Sequence, residues 1–96
     1  MRLTNNERVL IKKAFNETFL DGKIFLFGSR IDDTKRGGDI DLYLCPSEKL
    51  ENERELRRKF IIKLDVYIGE QKIDAVMAKD ENRLIEKIAL RDGVEL

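Results

Sequence analysis

Two short apolar runs, Ile24-Phe25-Leu26-Phe27 and Ile40-Asp41-Leu42-Tyr43-Leu44, constrain this chain more than anything else in it. Each has strand length and each is bounded by glycine, Gly28 after the first and Gly37-Gly38 before the second. The second run is entered through Asp39 and Asp41, spaced by two. Side chains at i and i+2 of a strand share a face, so the two carboxylates are expected to project side by side while Ile40 and Leu42 face the other way. The bland reading is a pair of solvated carboxylates fringing a glycine turn. Against it, strands are depleted in Asp, and two like charges on one face repel unless a cation sits between them. Two hard oxygen ligands on a rigid strand suit magnesium, which completes its shell with water and phosphate oxygens. A helix-loop-helix calcium site starting at Asp39 is excluded, because Leu44 stands where its turn glycine is needed.

The remainder reads as alternating helices and strands. Thr4-Asn5-Asn6-Glu7 has the form of a capping box and opens a helix whose stripe is Leu10, Ile11, Ala14, Phe15, Thr18 and Phe19, ending near Asp21-Gly22. Strand one covers 23–27, and a short helix or turn is expected from Ser29 to Lys35. After the second strand, Pro46-Ser47 begins a long helix from about Glu48 to Ile68, with Ser47 as its cap and Leu56, Phe60, Leu64, Tyr67 and Ile68 on its buried side. Its charged run from Glu51 to Lys59 is expected to be a solvated face with pairs such as Glu53-Arg57 and Glu55-Lys59. Gly69 stops it. A third strand spans 71–78, Asp80 caps a last helix with the stripe Leu84, Ile85, Ile88 and Ala89, and Gly93 closes that helix. Val94 to Leu96 form a tail that adds to the sheet or to a partner.

Gly28-Ser29 at the end of a strand is where a turn is expected anyway. Beside the Asp pair it reads as a phosphate cradle: Gly28 lets the backbone approach, and the Ser29 hydroxyl with nearby amides contacts the β and γ phosphates. Arg30 either adds a charge-assisted contact to phosphate or pairs with Asp33 at the surface. Asp74 lies in Lys72-Ile73-Asp74-Ala75-Val76-Met77-Ala78, where a charge is costly unless paired; Lys72 is the structural candidate for that pairing. Asp65 sits in the long helix, and Asp80 is better placed as a cap.

Composition narrows the chemistry. The chain has 96 residues, 19 basic and 19 acidic, so no global positive field draws in nucleic acid, and general nucleic-acid binding is disfavoured. There is no histidine, which removes imidazole bases, hydrolase triads and most zinc sites. Cys45 is the single cysteine, so neither an intrachain disulfide nor a CxxC site can form, and it reads as a small buried hydrophobe. Neither a signal peptide nor an apolar stretch able to span a bilayer is evident, so a cytoplasmic location with no membrane association is expected.

Gly28-Ser29, a spacer, then Asp39-x-Asp41 resembles the nucleotidyltransferase domain of the polymerase-beta superfamily, and most closely the minimal nucleotidyltransferases of prokaryotes. The resemblance covers essentially the whole chain as a single domain over 1–96. It implies an α/β fold of α+β type, a small mixed sheet of three to four strands packed against three to four helices. It implies a third carboxylate on the strand after the long helix, a position that Asp74 fills. Asp39, Asp41 and Asp74 would then be catalytic residues and ligands of two magnesium ions, Gly28, Ser29 and Arg30 would bind the nucleotide, and Asp74 would orient or deprotonate the attacking hydroxyl. Minimal members pair with a small helical HEPN toxin as its antitoxin, in a hetero-oligomer, and move AMP from ATP to a toxin tyrosine. Alternatives are an idle antitoxin that inhibits by docking alone, or transfer to a small molecule or RNA. Residue 38 is Gly where many relatives carry Ser, which leaves nucleotide choice open.

Overall fold

In the computed structural model, which describes residues 3–28 and 39–96, the elements run α1 (Asn5–Phe19), β1 (Gly22–Phe27), β2 (Ile40–Pro46), α2 (Glu53–Ile68), β3 (Ile73–Met77), α3 (Leu84–Asp92) and β4 (Val94–Glu95). The capping box at the start of α1 is complete. The Glu7 amide donates to Thr4 Oγ1 at 3.0 Å, and the Thr4 amide donates to Glu7 Oε1 at 3.1 Å. The expected turn at Ser29–Lys35 and the Gly37-Gly38 punctuation lie outside the described residues.

The strands form one mixed sheet in the order β3-β2-β1-β4. β2 pairs antiparallel with β1 from Gly22↔Pro46 to Phe27↔Asp41, and parallel with β3 from Ile40↔Ile73 to Leu44↔Met77. The C-terminal tail joins the sheet as β4, antiparallel to β1, with the Leu96 amide donating to the Ile24 carbonyl at 2.9 Å. Three helices and four strands among the described residues thus give the α+β fold expected from the sequence.

Strand alternation divides the interior in two. On one side of the sheet, Ile24, Leu26, Ile40, Leu42, Leu44, Ala75 and Met77 pack beneath α1 and α2, which contribute Ile11, Ala14, Phe15, Phe19, Phe60 and Leu64. Phe15 and Phe60 meet edge to face with ring centroids 6.3 Å apart, a geometry that adds to the area they bury. The other side is a smaller cluster of Phe27, Tyr43 and Ala89 with Phe25, Val76 and Ile85 against it, covered by α3.

Several boundaries differ from the sequence reading. The second helix begins at Glu53 rather than Glu48, and Ser47 does not cap it. Ser47 is occupied elsewhere: its amide donates to the Asp21 carbonyl at 3.1 Å, tying the chain to the turn before β1, while Leu50 packs against the core. Of the two expected ion pairs on α2, Lys59–Glu55 forms at 3.6 Å, whereas Glu53 pairs with Lys79 at 3.7 Å and Arg57 turns to β3. Gly69 ends the helix at φ 81°, a value that favours glycine. The third strand is shorter than expected, and Asp80 does not cap α3, which begins at Leu84 after Arg83. Asp80 instead closes its own turn, accepting from the Asn82 amide at 2.9 Å. Leu84, expected in the buried stripe, is 74% exposed; Glu86 takes the interior position instead. Cys45 is half-buried rather than fully enclosed.

Candidate functional site

The sheet pairing gathers the acidic residues. Because β1 and β2 run antiparallel, the end of β1 meets the start of β2, with Phe27 opposite Asp41. Because β2 and β3 run parallel, Asp74 stands in register with Asp41 on the neighbouring strand, about 4.8 Å away in the pairing direction. Asp41 and Asp74 share the alternation of Tyr43 and Val76, so both carboxylates lie on the face that α3 covers only farther along. Asp39 falls one residue before β2 begins, outside the strand that the sequence reading extended through it.

Gly28 closes the site from the β1 side. Its φ is 76°, and a Cβ built on it would lie 2.1 Å from Asp41 Oδ2. The glycine backbone therefore stands against the carboxylate, where a side chain would not fit. The companion residues Ser29 and Arg30 lie outside the described residues.

The electrostatics follow from the crowding. Burial pushes the Asp41 carboxyl above its ordinary value, and the charges of Asp74 and then Asp39 push it further the same way. Lys72, the sequence-level candidate to neutralise Asp74, is bound to Asp39 instead, with Nζ 3.8 Å from Oδ2. Asp74 itself is exposed. Among the described residues, no three His, Cys, Asp or Glu side chains converge closely enough to hold a metal ion. As a donor set Asp39, Asp41 and Asp74 suit a hard divalent ion: all oxygen, with Asp41 and Asp74 on adjacent strands.

Two supports of β3 were not read from the sequence. Arg57 Nε donates to the Ala75 carbonyl at 2.6 Å, bracing β3 one residue beyond Asp74. Glu86 is 1% exposed and accepts from the Tyr43 hydroxyl at 2.8 Å and from the Lys79 and Asp80 amides at 2.9 Å each. Arg83 Nη1 pairs with it at 3.2 Å. Burial alone raises its pKa, but the Asp80 amide, the Tyr43 hydroxyl, the Lys79 amide and the Arg83 charge together outweigh burial and hold Glu86 below the usual carboxylate value. It thereby pins the chain leaving β3 to the face of the sheet that α3 covers, at the end of β3 away from Asp74. A Glu inside the apolar stripe of a short helix was the only sequence signal for it.

Residues 9–96 match the family model described as a nucleotidyltransferase domain. The chain belongs to that family. No curated protein and no solved structure matches the chain closely enough to refine this further. As a nucleotidyltransferase domain, the chain falls among transferases that move a nucleotidyl group, a family that generally uses a nucleoside triphosphate and a divalent metal. Among the described residues no helix is long and apolar enough to cross a membrane.

Proposed function

We propose that this nucleotidyltransferase domain moves AMP from ATP onto a tyrosine hydroxyl of a small helical partner of the HEPN toxin type, and so acts as its antitoxin in a hetero-oligomer. The observation that carries the catalytic half of this reading is the register of Asp41 with Asp74, beside Asp39 and against the Gly28 backbone. The choice of AMP and of a HEPN partner rests on the likeness of Gly28-Ser29 and Asp39-x-Asp41 to the minimal nucleotidyltransferases.

Asp39, Asp41 and Asp74 would hold two magnesium ions. Bound there, the metal supplies charge neutralisation of the triphosphate and a lowered pKa for the acceptor hydroxyl. Gly28, Ser29 and Arg30 would bind the phosphates of the nucleotide. Asp74, exposed at the strand edge, orients the hydroxyl and takes its proton as oxygen attacks the α phosphorus. The new P–O bond forms in line with the breaking α–β bridge, and pyrophosphate leaves with the electron pair. Lys72 must give up Asp39 when the site fills, which costs little for a pair whose lysine is 84% exposed.

A second reading is silencing of the partner by docking alone. Incubating the chain with α-labelled ATP, magnesium and the product of the adjacent gene separates the two. Transfer of label that disappears in Asp39→Asn supports catalysis. If label never reaches the partner, yet Asp39→Asn with Asp41→Asn still inhibits it, docking alone is the function.

A further inference from the structure

Lys72 stands where the two acid-bearing strands begin. The Ile40 amide donates to its carbonyl at 2.9 Å, which carries the parallel ladder of β2 and β3 back by one residue from the Ile40↔Ile73 pair. Lys72 is thus two residues before Asp74 on its own strand and beside Asp39 on the next, with Nζ 3.8 Å from Asp39 Oδ2. Among the described residues it is the only Lys or Arg that pairs with Asp39, Asp41 or Asp74. The pair is loose, since the ammonium is carried on a flexible four-carbon stem that is largely in solvent. One lysine does not balance the group: burial, then the charges of Asp74 and Asp39, push the Asp41 carboxyl upward. Loading the site leaves a surplus as well. Three carboxylates and a triphosphate of about four negative charges outweigh two divalent ions by about three charges.

We propose that Lys72 is a nucleotide-binding residue, which passes its ammonium from Asp39 to a phosphate oxygen of the nucleoside triphosphate once a divalent ion takes Asp39. The inference rests on the reading of the acidic cluster as a metal and nucleotide site. It adds a contact on the β3 side of β2, across from Gly28 at the end of β1. Carboxylate and phosphate oxygens are interchangeable partners for an ammonium, so the exchange breaks one charge-assisted contact and makes another. A lysine suits this role because it binds phosphate as a point charge on a stem that can swing, without the fixed fork geometry of an arginine.

The test measures binding to the whole chain by calorimetry, with α,β-methylene-ATP in magnesium and, separately, with Mn2+ alone, so that no transfer is needed. Lys72→Met removes the charge and Lys72→Arg keeps it. Lys49→Met removes an exposed charge beyond the other end of β2. Lys72→Met is expected to weaken the triphosphate analogue by at least about fivefold, within the scale of one charge-assisted hydrogen bond. It is expected to bind Mn2+ at least as tightly as the wild type, because Asp39 is released to the metal. Lys72→Arg should recover most of the lost affinity, and Lys49→Met should match the wild type. A smaller loss in Lys72→Met, or an equal loss in Lys49→Met, would overturn the contact. Weakening of Mn2+ in step with the analogue would overturn it too, since Lys72 would then do no more than hold Asp39 in place. If the wild type binds neither Mn2+ nor the analogue, the metal and nucleotide reading falls and the proposal with it. If the wild type binds both and Lys72→Met binds them equally well, only the role of Lys72 falls.

Discussion

Replacing Glu86 with Ala is the sharpest probe of what holds the site-bearing strand in place. The substitution leaves the buried Tyr43 hydroxyl and the Lys79 and Asp80 amides without their acceptor. A buried polar group stripped of its partner costs about 1–3 kcal/mol. Tyr43 is fully buried and bears the whole penalty; the two amides are only part-buried, so water recovers some of theirs. The sum is roughly 3–5 kcal/mol, against a total stability of about 5–14 kcal/mol for a domain of this length. Thermal unfolding followed by circular dichroism should show a fall of roughly 15–30 °C. Glu86→Gln keeps one acceptor oxygen and should lose less than half as much. The acid limb adds a second signature. Because the folded pKa of Glu86 is depressed, its stabilisation is present above the unfolded carboxylate value and is lost as pH falls through the folded one. In Glu86→Gln that part of the acid dependence should vanish. A double-mutant cycle with Tyr43→Phe decides the matter. Coupling of about 1–2 kcal/mol is expected, whereas additivity within about 0.3–0.5 kcal/mol would refute the hydrogen-bonded Tyr43–Glu86 pair as the source of the effect.

Two further outcomes follow from local features. The Asp41 pKa is raised by burial and by Asp74 and Asp39, so its contribution to stability is present below the unfolded value and lost as pH rises through the folded one. Asp41→Asn should therefore stabilise the metal-free protein at neutral pH by about 0.5–1 kcal/mol, the scale of solvent-screened charge pairs, and the gain should fade in acid; urea titrations at two pH values check it. Leu20, 84% exposed, holds φ 68° and ψ −51° in a three-residue turn closed by the Asp21 amide on the Phe19 carbonyl at 2.8 Å. Leu20→Gly relieves a conformation disfavoured by about 1–2 kcal/mol and should raise the melting temperature by a few degrees.

What the chain dictates locally came through intact. The capping box, the α1 and α2 stripes, the strand pair and the Gly69 stop each depend on residues within a turn or a strand repeat of one another, where propensity and alternation act directly. The α+β fold that the resemblance implied is the one observed. Boundaries were lost where a tertiary contact outbid a local signal, as at Ser47, taken by Asp21, and at Leu84, displaced from the interior by Glu86.

Only the tertiary structure decided which residues became neighbours across the sheet. Register is a property of pairing between distant segments, and no local pattern specifies that Asp74 stands opposite Asp41 or that Lys72 reaches Asp39 rather than Asp74. The same pairing left β3 last in the sheet among the described residues, where its Ala75 carbonyl accepts from Arg57, in the sequence no more than part of a charged helix face. A burial pattern is written in each residue's own hydrophobicity; a site is written in separations between residues, and folding alone sets those distances.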